Sequence, residues 1–310
     1  MSSLKYIDSA EVEKLLDWRV LLESIEKALG HFSVGKDGGV VQPVRTVIPV
    51  DKHHGYMGVM PAYSSYDNAL ATKVVTFYPE NRDTPTHQAW ILLLDPPTGS
   101  LKAIVDGEAI TAIRTALASA VATKHLSNPA SKILAILGSG IQAHSHYKAL
   151  SLVQNFDEVR VWSRTHAHAQ KFAQEIHAKV CSTAEEAVKD ADVICTVTFA
   201  TTPILHASWV KPGAHINAIG ACVPEWQELE SDLMRGSVVY CDSRDACNKE
   251  SGDIIVSQCE IYAELGEVIM GQKEALWERT TVFKSVGMAV EDVVSAKMVY
   301  NNYIKNHPDQ

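Results

Sequence analysis

The sequence predicts an α/β fold, a doubly wound parallel sheet in the second half preceded by an α+β layer of antiparallel strands. Three observations carry this. From Lys132 onward, nearly all-apolar segments (KILAILGSG, DEVRVWS, ADVICTVT, GAHINAIG, SVVYCDS) alternate with stretches of helical periodicity, as in βαβ units whose strands are buried on both faces. Before that point, short β-like segments follow one another across turn pairs. Hydrophobic residues make up 46% of the 310 residues and charged ones 21%, enough for a real core in one large or two ordinary domains.

In chain order, Ser9-Ala-Glu-Val reads as an N-cap opening a helix over 9–34, with Leu15, Leu16, Leu22, Ile25 and Leu29 at helical spacing. VQPVRTVIPV, GYMGVM, ATKVVTFYP, QAWILLLDP and SLKAIVDG read as strands, with His54-Gly55, Pro96-Pro97 and Thr98-Gly99 as turns. A helix is expected from Glu108 to His125. The strand KILAILGSG then opens helix 141–153, and DEVRVWS leads to helix 166–178. The stretch TVFKSVGMAVEDVVSAKMVYNNYIK is a strand followed by a helix with a long apolar face, and its packing partner is not legible from pattern alone. There is no internal repeat, low-complexity run or Gly/Ser linker.

Composition excludes several classes of partner. Lys+Arg of 28 against Asp+Glu of 37 gives a net charge of −9, with no basic stripe to bind nucleic acid. No apolar run approaches the length that spans a bilayer, and MSSLKYIDSAEVEKLLDW has no apolar signal core, so a cytoplasmic protein is expected. Cys181, Cys195, Cys222, Cys241, Cys247 and Cys259 form no CxxC pair and read as reduced thiols. His144 and His146 point to different faces of one helix, and no HExxH occurs, so no metal site is expected.

The most informative motif is Gly138-Ser139-Gly140-Ile141-Gln142-Ala143, a GxGxxA directly after a strand and opening a helix. The first glycine permits the tight turn, the second admits a pyrophosphate, and the small Ala143 lets helix and strand pack closely. The helix N-terminus offers its N–H groups to the phosphates, which makes this a Rossmann dinucleotide site. The next strand ends Val161-Trp162-Ser163-Arg164-Thr165, without the acid that would accept from the 2′-hydroxyl of NAD. Ser163 and Thr165 can donate to a 2′-phosphate and Arg164 can pair with it, so NADPH is expected to bind more tightly than NADH. The alternative is that Arg164 is only a solvated surface charge.

Three cations, Arg45, Lys73 and Arg114, lie within otherwise apolar segments of the first part. Each alone reads as a snorkelling surface charge or a structural ion pair. As a set short of matching acids, they suit a small carboxylate substrate. His87 opens an apolar strand; it either approaches the nicotinamide or is structural.

At this point GGVVQPVRTV, GYMGVMPAY, TKVVTFY, DGEAITAIRTA, ILGSGIQAHSHY, WVKPGAHINAIGA and TVFKSVGMAVED together resemble the ornithine cyclodeaminase/mu-crystallin family over nearly the whole chain, and its mu-crystallin branch most. The resemblance implies a homodimer and a discontinuous substrate and dimerisation domain. Residues 1–115 and the C-terminal helix 287–310 would form that domain, with an NADP-binding Rossmann domain at 116–286. It implies that Arg45, Lys73 and Arg114 hold the substrate carboxylate, with Arg114 also near the cofactor and Glu250 near the substrate. Cofactor positions implied in the same way are Thr86, His87, Ser139, Ile141 and Gln142, then Ser163, Arg164, Thr165 and His168, and finally Thr198, Phe199, Ile219 and Ser285.

Departures from the cyclodeaminase branch are equally informative. That branch carries an acid where this chain has Gly58 and another where it has Cys222, so ornithine cyclisation is not expected. The Cys222-Val223 pair also differs from the Ser-Arg common in the mu-crystallin branch. The resemblance therefore implies NADPH-dependent reduction of cyclic ketimine carboxylates, with Lys73 either clamping the carboxylate or handling the proton. It also implies NADPH-dependent binding of thyroid hormone. The alternatives are a non-catalytic hormone-binding protein and an alanine-dehydrogenase-like enzyme.

Overall fold

A computed structural model describes residues 4–308. It divides into two compact units, residues 1–114 with 288–310, and residues 115–287.

The first unit opens with β1 (Lys5–Ile7), α1 (Ser9–Leu15) and α2 (Trp18–Ser33). The single helix expected over 9–34 is thus two. Asp17 breaks it, because its carboxylate accepts the Arg19 and Val20 N–H groups at 2.9 and 3.1 Å and starts a new helix. The first cap is likewise Asp8, which accepts from the Glu11 N–H at 2.9 Å, and Ser9 is already helical. Strands β2 (Val40–Val41), β3 (Thr46–Val50), β4 (Gly55–Ser64), β5 (Ala69–Phe77), β6 (His87–Leu94) and β7 (Leu101–Asp106) follow. Hydrogen bonding orders the sheet β1-β7-β6-β5-β4-β2, with β3 also on β4, and only the β1–β7 pair is parallel. Helix α3 (Gly107–Leu126) then starts in this unit.

Two-residue alternation gives this sheet two unlike faces. Met60, Lys73 and Ile91 are neighbours in register on the buried face, as are Ala62, Ala71, Leu93 and Ala103. The opposite face repeats Val59, Val74 and Trp90, then Pro61, Thr72, Leu92, Ile104 and Tyr6. This face is apolar yet open, with Trp90 38% and Tyr6 58% exposed.

The second unit is the parallel sheet that the apolar alternation predicts. Its elements are β8 (Ile133–Leu137), α4 (Ile141–Leu150), β9 (Glu158–Trp162), α5 (His166–Ile176), β10 (Lys179–Val180), α6 (Ala184–Val188), β11 (Val193–Thr196) and β12 (His215–Ala218). Then come α7 (Ser231–Gly236), β13 (Val238–Cys241), α8 (Arg244–Glu250), α9 (Gly252–Ser257), β14 (Ile261–Glu264), α10 (Leu265–Ile269) and β15 (Thr281–Lys284). The strand order is β10-β9-β8-β11-β12-β15-β13-β14, all parallel. The order reverses between β8 and β11, the switch point at which such sheets take ligands at their carboxyl edge. A buried polar chain crosses this core. His215 bonds Thr281 at 2.9 Å and Asn217 at 3.3 Å, and Asn217 donates to Thr123 at 2.9 Å.

Helix α11 (Ala289–Asn306) belongs to the first unit, where it packs on β4, β5 and β6 and against α2. Its apolar face covers the buried side of the antiparallel sheet. Among the described residues, no helix is long and apolar enough to cross a membrane.

Candidate functional site

The first unit gathers the three cations expected from sequence. Lys73 sits mid-strand on the covered face of β5 and is only 2% exposed; Arg114 on α3 is 4% exposed. Arg45 lies just before β3, half-buried, near enough to Lys73 for its charge to lower the lysine's affinity for a proton.

The expectation that these cations lack matching acids is wrong. Two wholly buried carboxylates from the first turn of α11 meet them. Lys73 Nζ lies 2.7 Å from Asp292 Oδ2, and it donates to Thr111 Oγ1 at 3.3 Å. The Arg114 guanidinium donates from Nε to Asp292 Oδ1 at 3.1 Å and from its terminal nitrogen to Glu291 Oε2 at 2.8 Å. Gln42 steadies the same turn by accepting the Val290 N–H at 2.7 Å. Sequence reasoning missed Glu291 and Asp292. The one available signal was a pair of adjacent acids interrupting the apolar face of MAVEDVV.

The electrostatics show what this cluster favours. Burial, then the neighbouring Arg114 charge, brings Lys73 down to about 8, although Asp292 pulls the other way. Burial, then Lys73 and Arg114, brings His87 down to about 4, so this imidazole is neutral at physiological pH. For Arg114 burial opposes the charge, but Asp292 and Glu291 outweigh it and raise its pKa. Two titrating groups are thus pushed toward their uncharged forms by burial and cations together. An added negative charge relieves that stress.

The second unit builds the turn for a dinucleotide. Gly138 has φ +132°, and a Cβ there would come within 2.7 Å of the Val197 carbonyl oxygen. A Cβ on Gly140 would meet no protein atom within 4 Å, so the space above this turn is open to a phosphate. The N-caps of α4 and α5, Gly140 and Thr165, make no side-chain capping bond, which leaves both helix N-termini available to anions. Ser139 Oγ donates to Ser163 Oγ at 3.0 Å and ties the glycine turn to the end of β9. Arg164, Thr165 and His168 follow on that side, all exposed. Gln142 Oε1 is buried without a hydrogen-bond partner.

Thr198, Ile219 and Ser285 stand just past the carboxyl ends of β11, β12 and β15, and Phe199 and Ile141 are 73% and 75% exposed. Asp242, 1% exposed at the end of β13, fixes the turn after β15. It accepts from Ser285 Oγ at 3.0 Å, Val286 N–H at 2.8 Å and Gly287 N–H at 2.7 Å. Glu250 ends α8, half-buried. Cys222 is exposed with its thiol 3.2 Å from the Ile219 carbonyl, and Gly58 lies on the covered face of β4 against Val75. Thr86 and His87 belong to the first unit, Thr86 exposed and His87 the first residue of β6. Among the described residues no group of acids, histidines or cysteines is placed to hold a metal ion.

Comparison with known proteins places these features in context. The model of the ornithine cyclodeaminase/mu-crystallin family matches residues 5–307. Ketimine reductase mu-crystallin of Macropus fuliginosus is 55% identical over 304 residues, covering 96% of this chain and 97% of that protein. The structure of Thermococcus litoralis Δ1-pyrroline-2-carboxylate reductase in complex with NADH and L-proline superposes with a TM-score of 0.93 at 35% identity, covering 98% of each chain. An archaeal alanine dehydrogenase dimer with bound NAD has a TM-score of 0.91 at 29% identity, covering 98% of this chain and 97% of that one.

Proposed function

Because this chain belongs to the ornithine cyclodeaminase/mu-crystallin family, we propose that it is an oxidoreductase acting on C=N bonds, reducing cyclic ketimine carboxylates to saturated cyclic amino acids with NADPH. The observation that carries this is Lys73, buried beside Arg114 and Asp292, with a pKa lowered to about 8. That is a place for one carboxylate and a source of one proton. A relative of known structure binds NADH and L-proline, a cyclic amino acid of the product class.

The coenzyme, when bound, supplies the hydride. Gly138, Ser139, Gly140, Ile141 and Gln142, at the N-terminus of α4, would hold its pyrophosphate. Ser163, Arg164, Thr165 and His168, around the N-terminus of α5, would hold the 2′-phosphate. Thr198, Phe199, Ile219 and Ser285, at the carboxyl ends of strands in the second unit, would hold the rest of the coenzyme.

The substrate carboxylate would lie against Arg45, Lys73 and Arg114 of the first unit. Glu291 and Asp292 hold Arg114 in a fixed plane, so the clamp is ordered before substrate arrives. This orientation is the main catalytic contribution of the chain: bringing reacting atoms to near-attack distance is worth up to roughly 7–11 kcal/mol. Reduction of an imine also needs a proton on nitrogen. Lys73 can deliver it, with Asp292 at 2.7 Å to stabilise the ammonium until it is used. His87, neutral at pH 7, is not a donor there.

The test is NADPH consumption with Δ1-piperideine-2-carboxylate and Δ1-pyrroline-2-carboxylate, run beside L-alanine with NAD. Turnover of the imines alone is the expected result; turnover of L-alanine alone would establish the amino-acid dehydrogenase instead. Thyroid hormone is an amino acid whose carboxylate suits the same cations. In the same assay triiodothyronine should raise the apparent KM for the imine, and an unaltered KM would remove hormone binding at this site.

The open apolar face of the antiparallel sheet supports a homodimer. Trp90, Tyr6, Val41 and Ile48 are 38%, 58%, 65% and 44% exposed on a continuous β surface, a patch of the kind that marks protein association. A second copy of the same face is self-complementary about a two-fold axis. Sedimentation equilibrium is expected to give twice the chain mass, and a single-chain mass at micromolar concentration would end this assignment.

A further inference from the structure

We propose that Glu228, which touches neither the substrate cations nor the phosphate turns, is a positioning residue for the nicotinamide half of the coenzyme. This rests on the dinucleotide reading above and assigns a residue to the half of that site for which the glycine motif provides nothing. The strand order sets the geography. With the pyrophosphate at the end of β8 and the adenosine side at the end of β9, the other half falls over β11 and β12, across the switch point.

Glu228 lies in the segment after β12 and is 0% exposed. Its Oε2 accepts from Thr196 Oγ1 and from the Gly220 N–H, both at 2.8 Å. Its Oε1 accepts from the Thr198 N–H at 2.8 Å and from the Thr198 hydroxyl. One carboxylate therefore ties the turn after β11 to the turn after β12. The fit is close: a Cβ at Gly220 would stand 2.3 Å from the Glu228 carboxyl carbon, so only glycine is admitted there.

A second buried pair holds Glu228 in place. Asp253 Oδ1 accepts from the Glu228 and Leu229 N–H groups at 2.8 and 3.1 Å, and its Oδ2 accepts from Lys284 Nζ at 2.9 Å. Lys284 also donates to the Gly220 carbonyl and directly precedes Ser285. Asp253 and Lys284 are both 0% exposed. Burial raises the Glu228 pKa above the ordinary carboxylate range and the Asp253 charge adds to that, while Lys284 and the Thr198 and Thr196 hydroxyls pull the other way. Buried charged groups are costly to desolvate, and apolar residues of similar volume often stabilise a core as well. Three of them spent on the C-terminal turns of adjacent strands fix those turns in space.

Glu228→Gln keeps the size and removes the charge, and its amide nitrogen cannot accept, so part of the four-donor set loses its partner. Dissociation constants of NADPH and of adenosine 2′,5′-bisphosphate, which carries only the adenine-side groups, are measured by calorimetry on wild type and variant. NADPH is expected to weaken about tenfold or more, while the bisphosphate stays within about twofold. Parallel weakening of both ligands, or no change in either, overturns the proposal, because a residue that only supports the fold has no reason to distinguish the halves. If Glu228→Gln does not fold, Thr196→Val removes one donor at constant shape and should show the same split at about threefold. Wild-type protein that binds neither ligand refutes the dinucleotide reading and this inference with it. Wild-type binding with parallel losses in the variants refutes this inference alone.

Discussion

Lys73→Met is expected to lower kcat/KM for a cyclic ketimine carboxylate about a thousandfold, with kcat carrying the larger share. Two losses combine. A charge-assisted hydrogen bond to the carboxylate is worth about 1.5–3 kcal/mol, and a positioned proton donor contributes about 10²–10⁴-fold. Lys73→Arg separates them, since guanidinium restores the charge but does not release a proton at neutral pH. KM should recover and kcat should not. A Lys73→Met enzyme whose KM alone rises would make the residue a clamp and nothing more.

The pH profile carries the same information. With Lys73 at about 8, the ammonium is present below that pH and lost above it, so kcat/KM should fall with one proton as pH rises through about 8. A bound carboxylate pulls the lysine pKa back up, so the corresponding limb in kcat should lie at higher pH. Stability moves oppositely. The folded state releases this proton near 8 and the unfolded chain near 10.5, so the penalty for burying the ammonium, on the order of 3 kcal/mol, is felt below pH 8 and relieved across that window. Chemical denaturation at pH 7 and pH 10 in wild type and Lys73→Met checks the sign for this group.

The second large effect concerns coenzyme choice. Arg164→Ala should weaken NADPH about 10–100-fold, the range of a charge-assisted bond, and leave NADH within about twofold. Arg164 is exposed beside the uncapped N-terminus of α5, so the loss should shrink as salt screens the phosphate. Equal changes for both coenzymes would return Arg164 to the status of a surface charge.

The dinucleotide turn is legible because all its parts lie within six consecutive residues and the strand before it is apolar throughout. The parallel sheet is legible for a related reason, since strands buried on both faces are visible as apolar runs. Glu291 and Asp292 are not legible as partners. They stand 177 and 178 residues from Arg114, and within their own helix they look like the acidic first turn of any amphipathic segment. The break at Asp17 was hidden for another reason. Leu15 and Leu16 continue the helical spacing across it, and side-chain capping decides the backbone there. Glu228 shows the same limit: four donors converge on it from two strand ends, and a single sequence records none of that convergence.

The sequence distance between Arg114 and Glu291 has a bearing on biosynthesis. At the usual pace of a ribosome, 177 residues take roughly 10–35 s to make. Through that interval the emerging strands have Lys73 and Arg114 but neither their counter-ions nor the helix that shields the covered side of the sheet. The nascent amino-terminal portion therefore waits, incomplete and sticky, for a late arrival. Ribosome-bound intermediates stalled before residue 289 should be the ones that recruit holdase chaperones.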